Sequence, residues 1–81
     1  MQLPNILINL QLRLMKSNIL VSMGLLKLKD ASYKVFQKGL LTFKKPKNKK
    51  TIWWHVLYNE DYLRDVSTQE EVEEIINKYS I

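Results

Sequence analysis

Residues 33–58 read YKVFQKGLLTFKKPKNKKTIWWHVLY. Two stretches in it alternate apolar and polar residues with a period of two, as half-buried strands do. From Tyr33 to Lys44, the residues Tyr33, Val35, Leu41 and Phe43 share one face, with Gln37 and Gly39 between them. From Thr51 to Tyr58, Ile52, Trp54, Val56 and Tyr58 share one face. β-branched and aromatic side chains concentrate in both, as strands prefer. Pro46-Lys47-Asn48-Lys49 between them contains turn formers. The reading is a β-hairpin with the lysine-rich turn KKPKNKK over 44–50. Pairing Phe43 with Ile52 sets Leu41 opposite Trp54 and Gly39 opposite Val56, which stacks the two apolar faces. The other side of this hairpin then carries Lys34, Phe36, Lys38, Leu40 and Thr42 beside Trp53, His55 and Leu57.

Toward the C-terminus, Asn59-Glu60-Asp61 precedes a short apolar stretch, Tyr62 to Val66, that reads as a further edge strand. Ser67 with Glu70, and Thr68 with Glu71, are overlapping capping-box matches. Glu70, Glu71, Glu73 and Glu74 fall in the first turns, where the helix dipole favours negative charge, and Lys78 lies near the end. Val72, Ile75, Ile76 and Tyr79 recur at i, i+3, i+4 and i+7, one apolar stripe suited to covering the sheet. The spacing predicts a helix over 67–80.

Residues 1–29 form an apolar N-terminal segment. In residues 5–15, Ile6, Ile8, Leu10, Leu12 and Leu14 alternate as in a strand, while Asn5, Asn9, Arg13 and Lys16 make the polar stripe of a helix starting at Pro4. Lys16-Ser17-Asn18 turns the chain into a second strand, Ile19 to Lys29, around Gly24, and Asp30-Ala31-Ser32 is the next turn. The expected fold is α+β: one domain over residues 1–81, an antiparallel β-meander of about four strands, with one C-terminal α-helix on one face.

Composition limits the chemistry. The 81 residues contain no cysteine and a single histidine, His55, so disulfides, thiolate nucleophiles and cysteine zinc sites are excluded. Charged or amide residues break the Leu- and Ile-rich start before any run reaches the roughly 18–20 residues of a membrane span. No signal-peptide pattern occurs, so integral membrane association is not expected and a cytoplasmic setting is. With no phosphate-binding glycine loop, nucleophile elbow or ligand spacing, the expectation is no catalytic residue, no metal, no cofactor and no enzyme.

Charge divides sharply. Residues 1–58 carry eleven Lys and Arg against Asp30 alone, a net +10, and residues 59–81 carry Arg64 and Lys78 against seven acids, a net −5. Either the two parts complement each other internally, or the first faces a polyanion. One or two lysines suffice to keep a hairpin tip soluble. Five in seven residues (Lys44, Lys45, Lys47, Lys49, Lys50) repel one another, and phosphates relieve that. The leading expectation is a small basic binding protein for DNA or RNA, using these five with Lys34, Lys38 and Trp53. The alternatives are a module binding a host protein, such as a phage- or mobile-element-encoded inhibitor, and a self-assembling protein that dimerises through its apolar N-terminal segment. The order of strands then helix is similar to single-stranded-nucleic-acid binders of the Whirly, Pur-repeat and transcriptional-coactivator kinds. It also resembles the sheet-plus-helix DNA readers at integrase N-termini. No motif matches either residue by residue.

Overall fold

A computed structural model of the chain describes residues 13–79. They form an α+β fold in the order α1 (Ser17–Ser22), β1 (Leu26–Leu28), β2 (Tyr33–Lys38), β3 (Leu41–Pro46), β4 (Trp54–Tyr58), β5 (Asp61–Val66) and α2 (Gln69–Tyr79). The strands make one five-stranded antiparallel meander in sequence order. The strand-or-helix alternatives for residues 5–15 lie largely outside the described residues, as does dimerisation through the N-terminal segment.

The stretch 33–44 is two strands and not one. Gly39, at φ +62, and Leu40 form a two-residue turn. Glycine at the first central position is what a type II′ turn requires. Partners across this turn are Lys38 with Leu41 and Phe36 with Phe43. Cross-strand partners share a face, so even-numbered residues of β2 lie with odd-numbered residues of β3. Phe36 is consequently core, 1% exposed, while Tyr33 and Val35 lie on the opposite side. That reverses the face expected for β2 from simple alternation.

β3 and β4 do form the hairpin around the lysines, but four residues out of the expected register. Phe43 pairs with Val56, and Leu41 with Tyr58. The connection spans 47–53, which leaves Ile52 46% exposed and outside the strand. The expected register would set Lys45 directly opposite Lys50, a like-charge pair. In the observed one Lys44 faces His55. The Trp53-Trp54 pair points both ways, as a strand start demands: Trp54 is 1% exposed and Trp53 46%.

Residues 19–29 are likewise not a single strand. The helix α1 ends in a Schellman motif, with Leu25 N–H donating to Leu20 O (3.1 Å) and Gly24 N–H to Val21 O (3.0 Å). Gly24, at φ +93, takes the left-handed position that the motif needs. Leu20 and Leu25 are thereby turned into the core together.

One face of the sheet is covered. Phe36, Leu41, Phe43, Trp54, Val56 and Val66 meet Met15, Leu20 and Leu25, together with Val72 and Ile75 of α2. Phe36 meets the Trp54 ring edge-on, with centroids 5.9 Å apart. Thr68 caps α2: Glu71 N–H donates to Thr68 Oγ1 (3.3 Å), and Glu71 Oε1 accepts from the amides of Ser67 (2.9 Å) and Thr68 (3.2 Å). Of the two capping-box registers, Thr68 with Glu71 is therefore the one used, and Glu70 instead pairs with Arg13 at 3.1 Å. Leu14 bridges to Thr68, so residues 13–15 run antiparallel beside the start of α2.

Candidate nucleic-acid interface

The lysines converge at one end of the sheet, where β1 ends, β2 begins, β3 ends and β4 begins. Two grooves meet there. One, of about 490 Å³, is lined by Lys34, Lys45, Lys47, Lys49 and Lys50, with Ile52 among them. The other, of about 980 Å³, is lined by Lys27, Lys29, Lys34 and Lys47 together with Leu28, Ala31 and Tyr33. Lys34 and Lys47 belong to both, so seven lysines border one continuous surface.

Three local features shape it. Asp30 Oδ1 accepts from the amides of Ser32 and Tyr33, each at 2.9 Å, and closes the turn into β2. Those two bonds, Ser32 first, hold the Asp30 carboxyl below its ordinary range, with smaller help from Lys44 and Lys47. Lys47 ties the far side of the turn: its amide donates to Ser32 O at 2.9 Å and its ammonium to the Asp30 carbonyl. On the covered side of the sheet, Lys34 and Lys45 are direct cross-strand partners. Burial, and then the Lys34 charge, push the Lys45 amine below the usual lysine range.

Cations and carboxylates are not distributed so as to cancel. Among the described residues the ion pairs are Arg13–Glu70 and Arg64–Glu71, and Asp65 contacts His55, so none of these contacts involves a lysine. The acidic C-terminal part thus meets two arginines and a histidine.

The structure gathers five of the expected site residues: Lys34, Lys45, Lys47, Lys49 and Lys50. Trp53 is exposed and follows Ile52 of the smaller groove, and its amide donates to Thr51 Oγ1 at 3.1 Å. Lys44 points to the other side of the sheet, its ammonium 4.7 Å from the Tyr33 ring centroid. Lys38 lies at the far end of β2, its ammonium beside Gly24. Lys27 and Lys29 join the cluster unforeseen, brought in by the pairing of β1 with β2. Their signal in the sequence was the Lys-Leu-Lys-Asp spacing ahead of the Asp30 turn, which has meaning only once β1 is a strand.

The side of the sheet that faces away from α2 carries Tyr33, Val35, Thr42, Lys44, His55 and Leu57, half-buried rather than core. There the Asp65 carboxylate accepts from His55 Nδ1 (2.7 Å) and from the Tyr62 hydroxyl (3.0 Å). The His55 contact is the main reason that the Asp65 carboxyl stays below its ordinary range, and the bond to Asp65 raises the Tyr62 phenol above its own. A carboxylate only accepts, so Nδ1 bears the proton and Nε2 is left as the other ring nitrogen. Among the described residues no three His, Asp or Glu side chains are placed to hold a metal ion, and no helix is long and apolar enough to cross a membrane.

No family model, curated protein or solved structure matches the chain. Its function is therefore argued from the chemistry of this surface.

Proposed function

We propose that this protein binds nucleic acid, without catalysing a reaction on it, through the seven-lysine surface at the β1–β2 and β3–β4 end of its sheet. The observation that carries the reading is the Lys34–Lys45 pair, two lysines directly opposite each other in the β-ladder, neither of them in an ion pair among the described residues. A fold that keeps like charges together, while Asp65, Glu70 and Glu71 find their partners elsewhere, gains stability when phosphates arrive. Chain-ordered phosphates suit such a row, and releasing their counterions supplies sequence-independent affinity.

The test is a titration of labelled single-stranded DNA, single-stranded RNA and duplex DNA at about 50 mM and about 200 mM salt. If all seven lysines engage, log affinity falls against log salt with a slope approaching about −5 on single strands and about −6 on duplex. Replacing Lys47, Lys49 and Lys50 together by serine should reduce that slope by about 2–3. Absence of salt-dependent binding to all three at the lower salt refutes the proposal.

A further inference from the structure

The larger groove differs from a purely electrostatic surface. Its volume of about 980 Å³ is at the upper end of the roughly 300–1,000 Å³ typical of small-molecule sites. Its lining combines Leu28, Ala31 and Tyr33 with Lys27, Lys29, Lys34 and Lys47. A flat row of phosphates needs no such apolar lining. An aromatic base attached to a phosphate matches both kinds of lining, the apolar and aromatic residues with its ring and the lysines with its charge.

We propose that this groove takes an unpaired nucleobase, so that the chain prefers single-stranded over duplex nucleic acid. The inference rests on the polyanion reading of the lysine surface and adds to it the part of the ligand that enters. In a duplex the bases are stacked on their neighbours, and only an unpaired base can turn into a recess without first breaking pairs.

The groove is also formed in advance. Tyr33 is fixed by its amide bond to Asp30, by its β-ladder partner Pro46, and by the Lys44 ammonium 4.7 Å from its ring. Lys47 is fixed by its contacts to Asp30 and Ser32. Little ordering cost is left for the moment of binding. The one acid in the groove, Asp30, has its Oδ1 engaged by two backbone amides.

The experiment uses the whole chain at about 200 mM salt, where the phosphate contribution is weakened. Its probes are a labelled oligothymidine of about 12 nucleotides, the same strand without bases, and a duplex of equal length. The base-bearing strand should bind about tenfold more tightly than the abasic one and more tightly than the duplex, the effect expected of one stacked base. The salt slopes of the two single strands should be equal. Tyr33→Leu should remove most of the tenfold difference. Equal affinity for the base-bearing and abasic strands overturns the inference, whatever the variant does. So does a duplex that binds as tightly as the single strand, or a Tyr33→Leu protein that keeps the full difference. In each of those cases the phosphate-binding function stands. Loss of binding to every probe even at about 50 mM salt overturns both.

Discussion

Lys34 and Lys45 stand opposite each other in the β2–β3 ladder, and the Lys45 ammonium lies 4.8 Å from the centroid of the Trp54 ring. The residue thus joins the candidate interface to the core, because Trp54 is 1% exposed and packs edge-on against Phe36. Attraction to the ring favours the charged amine, and burial and the Lys34 charge oppose it. The lowered folded-state pKa means that the unfolded chain binds more protons just below pH 10.5. Stability contributed here therefore rises with pH through that window and is reduced at neutral pH. Lys45→Met keeps the stem over Trp54 and removes the charge. Its melting temperature at pH 7, followed by circular dichroism, should equal or exceed that of the wild type. A fall of more than about 4 °C, roughly 1 kcal/mol in a domain of this size, would mean that the ring attraction outweighs both opposing effects.

The reversed face of β2 gives a sharp contrast between neighbours. Phe36→Ala empties a fully buried site against Trp54 and should cost about 3–5 kcal/mol in urea unfolding, enough to leave little folded protein. Val35→Ala, on the side away from α2 and half-buried, should cost less than about 1 kcal/mol. The opposite order would restore the face that alternation alone suggests.

Asn59 and Glu60 join β4 to β5 with φ values of +54 and +70. Both central residues of a type I′ turn need this left-handed backbone, and glutamate holds it at a cost that glycine avoids. Glu60→Gly should raise unfolding free energy by about 1 kcal/mol. At Gly39 the reasoning runs the other way. A Cβ there meets nothing within 4 Å, so the loss of about 1–2 kcal/mol expected for Gly39→Ala is backbone strain alone.

Glu71 links the cap of α2 to pH. Its carboxyl is held below the ordinary 4.5 first by the Ser67 amide, then by the Thr68 hydroxyl and amide and by Arg64. A carboxylate with a depressed folded-state pKa contributes stability that is complete above pH 4.5 and is lost as pH falls through the folded value. Glu71→Ala should flatten that part of a stability–pH profile. Thr68→Ala should cost about 1 kcal/mol at pH 7 through loss of the N-cap bond.

Two lysines separate position in space from position in sequence. Lys29 lies in the groove and Lys38 at the opposite end of β2. Lys29→Ser should lower the salt slope of nucleic-acid binding by about 1, and Lys38→Ser should leave it unchanged, in parallel anisotropy titrations.

The residues themselves determined every feature that depends on near neighbours. Alternating β-branched and aromatic residues made strands of 33–38, 41–46, 54–58 and 61–66. The Thr68–Glu71 cap and the Val72/Ile75 stripe made the last helix, and Lys47 to Lys50 lay outside the ladder. Alternation repeats every two residues, however, and is blind to a two-residue turn inserted at Gly39-Leu40. The same pattern therefore suits a single strand with Tyr33 and Val35 in the core, or a hairpin with Phe36 there. Tertiary packing chose the hairpin, because it sets Phe36 beside both Phe43 and Trp54. Packing likewise made a helix and a short strand of 17–28, where Gly24 stops the one and frees the other. Both choices act on the lysines. A run of like charges in one loop is legible from sequence, but its union with Lys27, Lys29 and Lys34 depends on three strands lying side by side. Coulomb forces act through that space and not along the chain.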